Sequence, residues 1–289
     1  MPVELISANG VLLATERFGD PADPPVLLIA GAAAPMVSWP DDFCTRLATA
    51  GRFVVRYDHR DLGRSVSYPP GAPGYDAPTL AADVVGLLDA LDLPAAHLVG
   101  ISLGGQLAQA VALAHPDRVL SLTLVSSSPA ALGHATADLP QPSLRTLCDL
   151  DDVDPPDWDR PESVVQHLVD LARIRAGHAR PFDESSARRT ATAAVTHGGD
   201  LRTAMTNHGL IQHGPPWRPL LPRITAPTLV VHGDADPLFP PAHGHALSAE
   251  IPGATLLRLP QTGHDLLGAD WLVLASVVLT LSAPVTTQP

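Results

Sequence analysis

The sequence predicts an α/β protein built on a mostly parallel sheet, and three observations predict it. Short runs of Val, Leu and Ile recur along the chain, helix-length segments separate them, and the alternation breaks only once, over a long central stretch.

The elements follow in order. Residues 4–7 and 12–18 flank Asn9-Gly10, a dipeptide suited to the positive backbone angles of a tight hairpin turn, so an antiparallel hairpin is expected first. Runs at 26–29, 53–57, 97–99, 122–125, 229–231 and 255–259 are apolar on both faces, as strands of a doubly covered parallel sheet must be. Segments 42–50, 80–91, 105–114, 243–251 and 265–281 supply the crossover helices that parallel strands require. From 129 to 219 Pro, Asp and His crowd the chain, strands are absent and helix-like pieces such as 163–176 appear. The expected organisation is a core domain of residues 1–128 and 220–289, with residues 129–219 inserted as a helical cap, or lid. Such an insertion sits above the carboxyl ends of the strands, where open α/β sheets bind ligands, and so is expected to roof a pocket. Leu168, Val169, Leu171, Ile174 and Ile211 either face a moderately large apolar group there or pack the roof onto the sheet. Residues 283–289, rich in Pro and Thr, are expected to fray.

Composition narrows the function. The 289 residues suffice for one large domain, and the formal net charge of -12, with no Lys or Arg run, argues against nucleic acid as a partner. Cys44 and Cys148 are too few for a disulfide framework, which suits a reducing cytoplasm. The first ten residues lack the basic and apolar segments of a signal peptide, and residues 271–281 are too short to span a bilayer, so no membrane association is expected. No His, Cys or carboxylate cluster has metal-ligand spacing and no glycine-rich phosphate loop is present, so neither metal nor organic cofactor is expected. The sequence leaves room for a homodimer.

The chemistry-bearing motif is Gly100-Ile101-Ser102-Leu103-Gly104, directly after the strand at 97–99 and directly before a helix. A strand-to-helix turn this sharp needs small residues at 100 and 104 and pushes the Ser102 hydroxyl outward. The backbone N–H of Leu103, at the start of that helix, is placed to donate to a developing oxyanion. A serine hydroxyl needs a base, and the chain has 13 histidines. His264 follows the last strand on a loop at the carboxyl ends, whereas His97 lies in a strand, His115 ends a helix, and His243 and His245 lie in a helical segment. The base needs a buried carboxylate, and Asp236, beyond the strand at 229–231, gives the order Ser, Asp, His. Asp234 in the same loop is the rival, nearer the strand and suited to local turn bonds.

Gly100 to Gly104, the Asp236 loop and Gly263-His264 together resemble the α/β-hydrolase superfamily over nearly the whole chain outside the insertion. Gly19-Asp20-Pro21-Ala22-Asp23-Pro24, Trp39-Pro40-Asp41 and Arg56-Tyr57-Asp58-His59-Arg60-Asp61 with Gly63-Arg64-Ser65 are similar to the aclacinomycin methylesterase group of actinomycete polyketide tailoring enzymes. The resemblance implies an eight-stranded, mostly parallel sheet flanked by helices, with a helical cap. It also implies a second oxyanion donor, the amide that follows the glycine of a His-Gly pair. Here Ala30-Gly31-Ala32 stands where His-Gly is usual, which makes Ala32 the donor because a backbone amide needs no particular side chain. Asp61 stands where the family usually has glycine, in a turn that reads as structural, braced by Asp58 and Arg60. Met36 and Trp39 either form an apolar pocket wall or pack beneath the insertion.

These residues imply acyl transfer on a small-molecule ester, with the methyl ester of a polyketide-like compound as the substrate that the resemblance suggests. Ser102 is the expected nucleophile, His264 the base and Asp236 the group that orients it. The same triad also serves cofactor-free haloperoxidase or perhydrolase chemistry and the hydrolysis of lactones, amides or C–C bonds, and a non-catalytic ligand-binding role stays open. Epoxide hydrolase and haloalkane dehalogenase chemistry are disfavoured, because they use an aspartate where Ser102 stands.

Overall fold

The protein is described by a computed structural model covering residues 2–130 and 138–283. Residues 131–137 of the expected insertion, and the expected frayed tail beyond Ala283, lie outside the described residues.

The hairpin comes first. β1 (Glu4–Ala8) and β2 (Val11–Phe18) pair antiparallel with Ala8 opposite Val11. Asn9 at φ 46° and Gly10 at φ 76° make the turn, the two positive angles that Asn-Gly accommodates with little strain. There follow β3 (Pro25–Ile29), α1 (Asp41–Thr49), β4 (Phe53–Tyr57), α2 (Ala77–Ala90), β5 (Ala96–Ile101), α3 (Leu103–Ala114) and β6 (Val119–Val125). The helices α4 (Leu144–Asp151), α5 (Pro161–Arg175), α6 (Glu184–His197) and α7 (Leu201–His208) come next, and then β7 (Thr228–Gly233), α8 (Ala242–Glu250), β8 (Thr255–Leu259) and α9 (Asp270–Leu281).

Among the described residues the strands form one eight-stranded sheet in the order β1-β2-β4-β3-β5-β6-β7-β8. Only the β1–β2 and β2–β4 pairs are antiparallel. Alternation along β3 divides the core. Leu27 and Ile29 join Leu80, Leu87, Leu107 and Val111 under α2 and α3, while Val26 and Leu28 join Phe43, Leu47, Leu274 and Val278 under α1 and α9. The central strands are thus buried on both faces, which is why their sequences read as unbroken apolar runs.

Helix starts follow local chemistry. Asp76, Asp183 and Asp200 precede α2, α6 and α7 and accept the N–H groups of Thr79, Ser186 and Thr203. The expectation of a last helix from residue 265 is corrected, because α9 begins at Asp270. Residues 265–269 form turns instead, and the Asp270 carboxylate accepts the Leu267 N–H at 3.0 Å and is held by Arg180.

Other expectations resolve by packing. Trp39 and Met36 are fully buried; Trp39 stacks on Phe43 at 5.6 Å and meets Trp271 at 5.8 Å, so it joins α1 to α9 rather than walling a pocket. Val169 packs with Val165 and Ala191 between α5 and α6, and Ile211 joins the core cluster under α2 and α3. Among the described residues no helix is long and apolar enough to cross a membrane.

Candidate active site

Ser102 stands between β5 and α3 at φ 54°, ψ −117°. A positive φ on an L-residue costs of order 1–2 kcal/mol, so the surroundings must impose it. The Ser102 N–H donates to Val125 O at 2.9 Å, and the Ser127 hydroxyl donates to Ser102 O at 2.9 Å. A Cβ on Gly100 would overlap the Gly104 carbonyl, and one on Gly104 would overlap the carbonyl oxygens of Ile29 and Ala30. The two motif glycines are therefore a steric condition of the turn.

Leu103 and Gly31 border this serine. Leu103 is the first residue of α3, where a helix leaves its N–H groups unused, and its amide donates to no described residue. Across from it Gly31 lies beside Ser102, close enough that a Cβ there would touch the serine Cβ at 3.5 Å. Residues 31–34 form a turn closed by the Ala34 N–H to Gly31 O at 3.3 Å, with Ala33 at φ 54°. Within that turn the exposed Ala32 also donates its N–H to no described residue.

Asp236 and His264 meet at the carboxyl ends of β7 and β8. His264 Nδ1 lies 2.9 Å from Asp236 Oδ2, and both residues are buried. The other carboxylate oxygen, Oδ1, accepts the N–H groups of Leu238 and Phe239, each at 2.9 Å. Those bonds fix the carboxylate plane, and the ring of Phe239 meets that of His264 edge-on, with centroids 5.5 Å apart. Asp234 points elsewhere and pairs with Arg258 at 2.7 Å.

The charges of the pair favour each other. Burial alone would push the His264 imidazolium down, but the charge and hydrogen bond of Asp236 outweigh it and hold the pKa above the ordinary 6.5. Burial would likewise raise the Asp236 carboxyl, and His264 reverses that, leaving it below the ordinary carboxylate value. The structure thus joins Asp236 to His264 directly. It shows no hydrogen bond between His264 and Ser102, and His264 Nε2 and Ser102 Oγ each lack a partner among the described residues.

Known proteins share this sequence pattern and fold. Residues 24–144 match the family model of the alpha/beta hydrolase fold. The chain is 38% identical over 278 residues to rhodomycin D methylesterase DauP of Streptomyces sp. (strain C5), covering 92% of this chain and 93% of that protein. It is 37% identical to rhodomycin D methylesterase DnrP of Streptomyces peucetius, with the same coverage. The chain belongs to the α/β-hydrolase family.

Within that family it groups with methylesterases, enzymes of the carboxylic ester hydrolase class. The fold is also that of the esterase RhEst1 from Rhodococcus sp. ECU1013, with a TM-score of 0.75 at 20% identity over 98% of this chain and 99% of that one.

Several residues around the site of this hydrolase carried no sequence signal. His232 Nε2 donates to Phe239 O at 2.7 Å and lies 3.7 Å from Asp236, so it closes the loop that presents the carboxylate. The elements between β6 and β7 reach the site as well. The Arg175 carbonyl, at the end of α5, accepts the His264 N–H at 2.8 Å, and a Cβ on Gly263 would overlap that carbonyl. Asp58 and Arg60 hold the turn around Asp61 through separate partners. Asp58 accepts the Met36 N–H at 2.7 Å and meets His197 Nε2 at 2.7 Å, while Arg60 forms a two-pronged pair with Asp83 of α2, both contacts at 2.7 Å. Asp61 sits at φ 69°, the region that glycine enters freely and aspartate tolerates, and its carboxylate accepts the Tyr68 N–H, the Tyr75 hydroxyl and Asn207 Nδ2.

Two cavities lie apart from Ser102, Asp236 and His264. One of about 1120 Å³ separates α1 from α6 and the start of α9, beside Arg56 and His197; another of about 410 Å³ lies along α2 and α3 against Trp217. Neither is lined by Ser102, Asp236 or His264.

Proposed function

We propose that this ester hydrolase cleaves its substrate through a Ser102–His264–Asp236 triad and an acyl-enzyme, and that the substrate is the methyl ester of a polyketide-like aromatic compound. The observation that carries the reading is the buried Asp236–His264 pair set at the strand ends of the same sheet whose β5 leads into the strained Ser102 turn. The substrate half rests on the two methylesterase relatives.

In this reading His264 Nε2 takes the Ser102 proton as the serine oxygen attacks the ester carbonyl carbon, a contact completed when substrate is bound. The negative charge that develops on the carbonyl oxygen is received by the Ala32 and Leu103 amides, which have no competing partner among the described residues. The tetrahedral intermediate expels methoxide, which leaves as methanol with the proton carried by His264. Water, deprotonated by the same imidazole, then releases the carboxylic acid and regenerates Ser102. Asp236 keeps the Nδ1 proton in place and stabilises the imidazolium formed in each half.

Residues 129–219 act in this scheme as the cap over the site, with residues 1–128 and 220–289 as the core. The contacts of Arg175 with the His264 loop support that division.

The test is turnover of short and medium p-nitrophenyl esters beside an aromatic polyketide methyl ester, by the native chain and by Ser102→Ala. Turnover that disappears with the serine, by at least about a thousandfold, is expected. Turnover that Ser102→Ala retains would refute the triad, and p-nitrophenyl activity without methyl ester cleavage would refute the substrate class.

A further inference from the structure

Two helices of the cap end on histidines, and one of these histidines bonds the turn that carries Ala32 while the other holds the segment after it. His197, the last residue of α6, meets the buried Asp58 carboxylate, whose other oxygen accepts the Met36 N–H just after the turn. His208, the last residue of α7, acts on the turn directly: its Nδ1 accepts the Ala33 N–H at 2.9 Å, and its Nε2 donates to Arg60 O at 2.9 Å. The second bond determines the tautomer. With the proton on Nε2, Nδ1 carries the lone pair that Ala33 requires. Burial holds the His208 imidazole below its ordinary pKa, in line with this neutral form.

The Ala33 N–H belongs to the peptide that joins Ala32 to Ala33, and Ala33 occupies the left-handed region normally filled by glycine or asparagine. Relaxing it would rotate that peptide and release the turn that sets Ala32 next to Gly31, which lies against Ser102. We propose that His208 is a positioning residue for catalysis, by which the cap holds the turn of residues 31–34 in the core in the conformation that directs the Ala32 N–H at the oxyanion. This inference rests on the acyl-enzyme reading above. It makes the cap a part of the rate-determining geometry as well as a roof.

The test compares His208→Asn with His208→Gln in Ser102-dependent ester turnover. The Asn carboxamide oxygen reaches the place of Nδ1 and keeps an acceptor for Ala33, whereas the longer Gln reaches the place of Nε2 and keeps the bond to Arg60 O. The expected result is kcat near wild type for His208→Asn and a loss of about 10- to 100-fold for His208→Gln, with KM unchanged in both, since a small displacement of one oxyanion donor acts on the transition state. Thermal unfolding midpoints, compared between the two variants, check that fold stability does not account for the difference. Equal kcat in the two variants, whether retained or lost, or a better rate for Gln, would overturn the proposal while leaving the triad standing. Turnover insensitive to Ser102→Ala would instead overturn the acyl-enzyme reading, and this inference with it.

Discussion

Replacing Asp236 by Asn isolates what the carboxylate contributes. The backbone bonds of Leu238 and Phe239 both end on Oδ1, so the Asn side chain keeps its oxygen there and turns its NH2 group toward His264. An NH2 group donates, and His264 Nδ1 must then accept. The imidazole proton moves to Nε2, the nitrogen that takes the serine proton in the proposed mechanism. The base is left in the wrong tautomer with its position almost unchanged, and the imidazolium of the transition state loses a buried counter-charge 2.9 Å away. A loss of about 10⁴ in kcat is expected, which at 1.36 kcal/mol per decade is about 5.4 kcal/mol of transition-state stabilisation. Stopped or continuous assays on a p-nitrophenyl ester read it directly, and Asp234→Asn is the matched control because Asp234 pairs with Arg258 instead. A kcat for Asp236→Asn within tenfold of wild type, or an equal loss in Asp234→Asn, would refute the reasoning.

Two further outcomes follow from the same geometry. In the free enzyme kcat/KM should rise with pH along an acid limb centred above 6.5, because His264, as the proposed base, acts in its neutral form and Asp236 raises its pKa; a limb centred below 6.5 would contradict that balance of burial and charge. Gly104→Ala should destabilise the protein by about 1–3 kcal/mol in chemical unfolding and remove ester turnover, since the added methyl must displace the end of β3 from beneath the Ser102 turn; unchanged stability would show that the turn has room the structure does not display.

Much of the fold was legible because its determinants are local. Residues of β3 to β8 read as strands from short runs of consecutive apolar positions, and Asn9-Gly10 marked its hairpin by a preference of two residues for positive φ. The Gly100–Gly104 motif was legible for the same reason, since a close turn excludes Cβ atoms wherever it occurs. Helix ends were less so. Asp265 to Ala269 read as the start of the last helix, yet the chain turns there: Gly268 adopts φ 57°, and the Asp270 carboxylate accepts the Leu267 N–H and is held by Arg180, 90 residues earlier.

By itself, then, the sequence determined the strand-and-helix alternation, the strained serine turn and the loops that carry Asp236 and His264. Tertiary structure alone decided that Trp39 joins two helices instead of facing a pocket, that His197 meets the buried Asp58, and that His208 reaches the turn before α1. The physical reason is range. Backbone propensity and steric exclusion act over a few residues and leave a pattern in the chain, whereas a hydrogen bond between Ala33 and His208 joins residues 175 positions apart and leaves none.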